Sequence, residues 1–590
     1  MSPSRDLLRL TDAVLLPGFA GHTPPEWLRR RLGDGLAGVV LFSRNIADPE
    51  QVARLTGALR AENPHALVGT DEETGEVTRL EVGTGSSRPG GYALGVVDDP
   101  ALTETLARDL GQDLAAAGIG IDFAPSADVN SNPDNPVIGL RSFGADPELV
   151  ARHTRAFVRG LQSAGVAACA KHFPGHGDTS VDSHHRVPVV ADRDIEQALR
   201  PFRAAIAEGV RAVMTGHLLV PSYDPHLPAT LSPKVLTGLL REELGFDGVI
   251  VTDGIEMTAV SGPYGIGGAA ARAIAAGADA ICVGGENYDE ATATAVRDAI
   301  VTAVQEGLLP EERLADAARR VHDLALWTTT PQVSSAGSPE GSGRATITVG
   351  NSPSDSAGSS ERDSADAGPQ ISGSSAFGSA SGSAGAGPEA SVGGAEPGSS
   401  GAGPEISAVD SNGSPEVSEG GAVSGGVSTS GEGIGLVAAR RALRVTRRAE
   451  PSVLPLSAAP YVVELAPETH LAIDKATPWG LAAPLAELLP GTTAIRFAAG
   501  EATGSALEGA LNEAEGRGLV IVVRDAHRHP WQMEALRHLL GARPDAVVVE
   551  MGLPHRADLG AVHIATYGAA RVCGQAAAEV IAGGPRVERA

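Results

Sequence analysis

Eight short apolar runs recur through the first 330 or so residues of the 590-residue chain, and this recurrence most narrows what the chain can fold into. They lie at 13–16, 37–42, 66–69, 120–124, 167–170, 212–215, 248–252 and 278–283. Between most of them are amphipathic stretches such as 147–164, 194–208, 233–243 and 288–306. A short apolar run bounded by polar turns reads as a strand buried on both faces, and a long periodic stretch as the helix that covers it. Eight such strand–helix units predict an α/β fold with a (β/α)8 TIM-like barrel over residues 1–333.

Composition changes near residue 333. From 334 to 433 the chain is mostly Ser, Gly, Ala, Glu and Pro. Such a segment has too little apolar surface to offset its ordering entropy, so a disordered linker is expected. Its mean span would be about 50–60 Å. Residues 434–590 again carry apolar runs, at 461–465, 518–523 and 546–550, separated by helical stretches such as 532–540. They predict a smaller α/β domain. His527, His529 and His555 read there as loop surface.

The net charge of −26 repels phosphate backbones, and aromatics are only 3% of the chain, so no nucleic-acid partner is expected. No run of 18 apolar residues predicts a membrane span. The N-terminus, MSPSRDLLRLTDAVLLPGF, reads as no signal peptide. Cys169, Cys282 and Cys573 are odd in number and far apart, and suit buried thiols better than a disulfide framework or a zinc site. A cytoplasmic protein without cofactor or metal is the expectation.

In a barrel of this kind, chemistry belongs at the C-terminal ends of the strands. There the third run leads to Asp71, the fourth to Asp128 with Arg141 further along, the fifth to Lys171 and His172, the sixth to His217, and the seventh to Asp253. One polar residue after a strand is usually a turn; several in register predict a shared polar pocket. After the fifth run comes KHFPGHGDTSVDSHHRVPVV, residues 171–190. Its two Gly and two Pro make it a loop, and glycines would let it move over a pocket. A surface loop, a metal site and a catalytic loop are the three readings. In the catalytic one, Asp182 orients His184, and the imidazole is poised near neutral pH to give and take a proton. Asp253, at the end of a rigid strand, is the natural nucleophile; the competing reading is a helix N-cap.

At these residues the chain resembles glycoside hydrolase family 3, in particular its bacterial β-N-acetylglucosaminidases. KHFPGHGDTSVDSH is the specific part, supported by VVLFSRN, NPVIGLRSFG, LPATLSPKVLTGLLREELGFDGVIVTD and GADAICVGG. The resemblance runs over residues 10–330. It implies that Asp253 is the nucleophile, His184 the general acid/base and Asp182 its partner. It also implies that Lys171, His172, Asp71, Arg79 and Arg141 grip the sugar, with His217 and Met257 lining the same pocket. The family's usual Asp-Gln-Glu-Gly-Gly-Arg is here Asp71-Glu72-Glu73-Thr74-Gly75-Glu76, which would make the pocket rim more acidic. The residue after the nucleophile, often Asp or Ala, is Gly254. VVVEMGLP and ATYGAARVCGQAAAEVIAGG look like the second domain of some members.

The implied activity is a retaining exo-β-N-acetylglucosaminidase that releases terminal N-acetylglucosamine from peptidoglycan fragments through a glycosyl-aspartate intermediate. Its partner would be a small carbohydrate: a muropeptide or disaccharide. A phosphorylase using the same residues is the alternative, because a histidine acid/base does not repel phosphate. A β-glucosidase, a metal-dependent hydrolase and a non-catalytic cell-wall-sugar binding protein are the further ones.

Overall fold

The computed structural model describes residues 3–183, 186–190, 195–330, 433–448 and 452–584. Residues 334–432 of the expected linker, and His184, lie outside them. The described parts on either side of the linker belong to one compact unit.

Among the described residues, eight strands form the barrel: β1 (Leu15–Pro17), β2 (Gly38–Leu41), β3 (Leu67–Thr70), β4 (Ile121–Asp122), β5 (Ala167–Phe173), β6 (Ala212–Thr215), β7 (Val249–Thr252) and β8 (Ile281–Val283). Strands β2 to β7 pair in sequence order, all parallel. A parallel bridge between Val251 and Ala280 joins β7 to the start of β8, and β8 pairs with β1. The Ala37 amide donates to Asp12 O at 3.0 Å where β1 adjoins β2. Each of the eight apolar runs thus overlaps one strand.

Alternation along each strand explains the two cores. Leu16, Val40, Leu67, Ile121, Cys169, Met214, Val251 and Cys282 form one buried cluster, the barrel interior. Their neighbours Leu15, Val39, Val68, Ala168, Val213, Ile250 and Ile281 belong to another, which packs against the helices. Helix Glu311–Thr329 adds Val321, Leu324 and Ala325 to the inner cluster. Its Thr328 lies so near Gly120, at the start of β4, that a Cβ there would meet the hydroxyl at 3.0 Å, so the helix closes the N-terminal end.

Local sequence starts the covering helices. Asp48-Pro49, Asp99-Pro100 and Asp146-Pro147 each place a carboxylate that accepts from a first-turn amide and a proline whose missing N–H costs nothing there. The expected helix at 233–243 is wound as a π-helix, Lys234–Glu243.

The C-terminal part is a six-stranded sheet: β9 (Arg444–Arg447), β10 (Tyr461–Leu465), β11 (Thr493–Phe497), β12 (Leu519–Val523), β13 (Val547–Glu550) and β14 (Val562–Ala565), in the order β9-β14-β13-β12-β10-β11. Only the edge strand β9 is antiparallel. It docks on the barrel through polar contacts. Arg441 pairs with Asp99 at 2.8 Å, and Arg444 donates to Val96 O at 3.0 Å. Gly435 backs onto the Ser87 carbonyl so closely that a Cβ would sit 1.9 Å from it. Among the described residues no helix is long and apolar enough to cross a membrane, and no three His, Cys, Asp or Glu side chains are grouped to hold a metal ion.

Candidate active site

A cleft of about 580 Å³ opens at the C-terminal ends of the barrel strands. Asp71, Arg79, Arg141, Lys171, His172, Asp253 and Met257 all line it. Each strand end delivers its polar group because the strand itself is locked in the apolar wall.

At the centre is Glu73, which sequence reasoning passed over. Its carboxylate accepts from Arg141 at two points, 2.7 and 2.8 Å, and lies 2.6 Å from the Lys171 ammonium. Lys171 also donates to Asp71 at 2.7 Å. Burial alone would raise the Glu73 carboxyl; Arg141 and Lys171 overcome it and hold the group well below the usual carboxylate range. Burial would likewise strip Lys171 of its proton, but Asp71 and Glu73 keep it charged. The result is a fixed array of two cations and two carboxylates, suited to the vicinal hydroxyls of a pyranose. Glu73 lies two residues past Asp71, so a stricter reading of the strand-three end would have found it.

His172 is oriented from both sides. Its Nδ1 lies 2.7 Å from Asp128 Oδ2, and its Nε2 lies 3.2 Å from Arg141 Nη2. A guanidinium only donates, so Nε2 accepts and the ring proton sits on Nδ1, donated to Asp128. Asp128 Oδ1 also accepts the amides of His172 and His176 at 3.2 and 2.7 Å. Burial raises the Asp128 carboxyl, yet His172 and His176 bring it below its ordinary value.

Asp253 follows β7 directly. Its amide donates to Thr215 O at 3.2 Å, and its Oδ1 accepts the Gly254 amide at 2.8 Å. The next helix begins at Thr258 with Met257 as its N-cap, which removes the capping reading of Asp253. Beside it, Glu256 Oε1 accepts the Gly284 amide at 3.0 Å, and burial pushes its carboxyl up. Cys282 lies in the cleft wall with Cys169 in the barrel interior; burial pushes both thiols up.

Two expectations, at His217 and Glu76, need correction. His217 is fully buried and is not among the residues that line the cleft. Its ring spans from Thr230 Oγ1 at 2.8 Å to Gly254 O at 3.0 Å, so it fastens the turn that carries Asp253. Asp182 lines a neighbouring cavity of about 530 Å³ rather than the cleft itself, while Ser183 reaches the cleft. Glu76 does not acidify an open rim. It is buried, pairs with Arg524 of the C-terminal domain at 2.5 Å, and accepts the Ala569 amide at 3.0 Å.

The loop after β5 also differs from expectation at a glycine. A Cβ at Gly177 would lie 1.8 Å from Val129 O, so this glycine serves close packing rather than movement.

The C-terminal domain reaches the cleft, which no local signal announced. Leu471, Ala472 and Asp474 line it, and Arg79 donates to Ala472 O at 3.1 Å.

Residues 23–324 match the family model described as Glycosyl hydrolase family 3 N terminal domain. The chain is 38% identical over 313 residues to a beta-hexosaminidase of Stenotrophomonas maltophilia (strain K279a), covering 50% of this chain and 91% of that one. A beta-hexosaminidase of Thiobacillus denitrificans is 39% identical over 299 residues, covering 48% and 82%. Among solved structures, a glycoside hydrolase family 3 beta-N-acetylglucosaminidase from Paenibacillus sp. str. FPU-7 superposes with a TM-score of 0.74 at 30% identity, over 99% of this chain and 97% of that one.

Proposed function

The chain belongs to glycosyl hydrolase family 3 and is a glycoside hydrolase of the beta-hexosaminidase kind, and from this we propose that it is a retaining exo-β-N-acetylglucosaminidase acting through Asp253. One observation carries the reading: a strand-end carboxylate shares a cleft with the Asp71–Lys171–Glu73–Arg141 array, a hydroxyl-gripping surface beside a nucleophile.

In this proposal Asp253 attacks the anomeric carbon while protonated His184, paired with Asp182, gives its proton to the leaving oxygen. The glycosidic bond breaks and a glycosyl–aspartate ester forms. His184 then takes a proton from water, whose oxygen attacks the same carbon and frees the Asp253 carboxylate. Two inversions retain the β configuration. His184 is neutral when it does so, which suits a base working near neutral pH.

We take the substrate to be a peptidoglycan fragment ending in β-linked N-acetylglucosamine, and the working compartment to be the cytoplasm. Three free, buried cysteines suit a reducing compartment. The experiment is turnover of an aryl β-N-acetylglucosaminide, with and without phosphate. Free N-acetylglucosamine with β configuration in both conditions supports the reading; a sugar 1-phosphate would replace hydrolysis by phosphorolysis, and no turnover would end it.

A further inference from the structure

The cleft wall beside the nucleophile is built as a clamp. Gly284 and Gly285 follow β8, and their peptide groups are held from both sides. From one side Glu256 Oε1 accepts both glycine amides, that of Gly284 at 3.0 Å. From the other the Arg44 guanidinium, just past β2, donates to both glycine carbonyls, to Gly285 O at 2.9 Å. We propose that Glu256 is a positioning residue for Asp253: it fastens the turn that carries the nucleophile to the end of β8, against a seat that Arg44 keeps rigid.

The turn from Asp253 to Met257 is pinned between its two neighbouring strands. Toward β6, the Asp253 amide donates to Thr215 O and the Gly254 carbonyl faces His217 Nε2 at 3.0 Å. Toward β8, the Ile255 amide donates to Cys282 O at 3.0 Å, and the Glu256 carboxylate extends that hold to the two glycines. A nucleophile must meet the anomeric carbon in line with the bond that breaks, and a misplacement of about 1 Å costs about 10²-fold in rate.

The seat is fitted to this task. Gly284 has φ 130°, and a Cβ there would lie 2.4 Å from Gly18 N, so its peptide packs against the end of β1. A Cβ at Gly285 would lie 2.9 Å from Glu256 Oε1, so the carboxylate fills the space of a side chain. Arg44 is itself fixed. Its Nε donates to Phe19 O at 3.0 Å, and its guanidinium lies 4.4 Å from the ring centre of Phe42 and 4.1 Å from that of Tyr288. Arg44, Glu256 and Gly285 all line the cleft. With Oε1 committed to two amides and burial pushing the carboxyl up, Glu256 suits an anchor better than a second nucleophile. Its Oε2 is buried and makes no hydrogen bond among the described residues, so an amide NH2 can replace it without breaking one.

This rests on the reaction proposed above. The test uses the full chain with an aryl β-N-acetylglucosaminide and with a slow fluorinated glycosyl substrate, which traps the nucleophile as an ester and so counts working sites. Glu256→Leu keeps the bulk and removes the acceptor: kcat per trapped site and the trapping rate both fall about 10²-fold while KM changes little. Glu256→Gln keeps one acceptor oxygen and regains at least about 10-fold of that loss. Arg44→Met frees the seat from the other side and lowers both rates in the same way. The double variant Arg44→Met with Glu256→Leu falls no further than the worse single one, because both act through the same two peptides. Full kcat per trapped site in Glu256→Leu, a glutamine variant as impaired as the leucine one, or losses that multiply in the double variant each overturn the proposal. Should Glu256→Leu yield no folded chain, an unchanged trapping rate in Arg44→Met overturns it. A wild-type chain that neither turns over nor is trapped overturns the underlying reaction instead.

Discussion

Glu76 of the barrel and Arg524 of the C-terminal domain form an ion pair 2.5 Å long with both side chains buried. They are 448 positions apart in the chain. Removing one partner leaves the other charge in a dry site, which costs about 3–5 kcal/mol. Arg524→Ala is expected to lower the thermal unfolding temperature. Burial already raises the Glu76 carboxyl, and losing Arg524 raises it further. A raised carboxyl contributes stability at low pH that is lost as pH rises, so the variant suffers more at pH 8 than at pH 5. The double variant Glu76→Gln with Arg524→Met recovers much of the loss, because neither charge is then stranded. Unfolding curves at the two pH values check both points.

Asp253→Ala removes the proposed nucleophile and leaves the array around Glu73 in place. The expected loss in kcat on the aryl glycoside is about 10³-fold or more. Near-normal turnover by this variant, measured after removal of any contaminating activity, would refute the assignment.

Asp128→Asn tests the orientation of His172. Oδ1 accepts two backbone amides, so the amide oxygen of asparagine must take that place. Its NH2 then faces His172 Nδ1, which already bears a proton. The ring would have to move its proton to Nε2, against the Arg141 donor. A displaced side chain of this kind costs about 10²-fold in kcat/KM. The circular dichroism spectrum should be unchanged.

Glu550 gives the C-terminal domain a pH signature. Burial, with Asp525 beside it, pushes its carboxyl up to about 8. The sign follows from linkage: the folded state holds this proton more tightly, so the contribution to stability is complete below the ordinary glutamate range and lost as pH climbs through about 8. Glu550→Gln removes that dependence. The unfolding temperature of the variant should gain on that of the parent from pH 6 to about pH 8 and then level off; parallel curves would contradict the burial argument.

The barrel was readable because it is written locally. Each strand is an apolar run of a few residues, and its partners are its neighbours in order. Asp71, Lys171, His172 and Asp253 were readable for the same reason, since each lies within two residues of the end of such a run. His217 satisfied that rule and still points elsewhere: strand-end position alone does not say whether Thr230 or the cleft takes a side chain. The roles of Glu76, Arg79 and Leu471 depend on contacts across hundreds of residues, such as Arg79 to Ala472, and no period or motif carries them. The glycines of the β5 loop were read as freedom; Gly177 turned out to be fitted against Val129 O, which only the packed neighbour reveals.

Cys282 has one further consequence. It sits in the cleft wall, yet burial keeps its sulfur protonated. An electrophilic sugar analogue entering that space would meet a thiol of little reactivity and an ionisable oxygen on Asp253. Covalent labelling should therefore fall on the carboxylate, and mild alkylating reagents aimed at sulfur should leave the protein untouched.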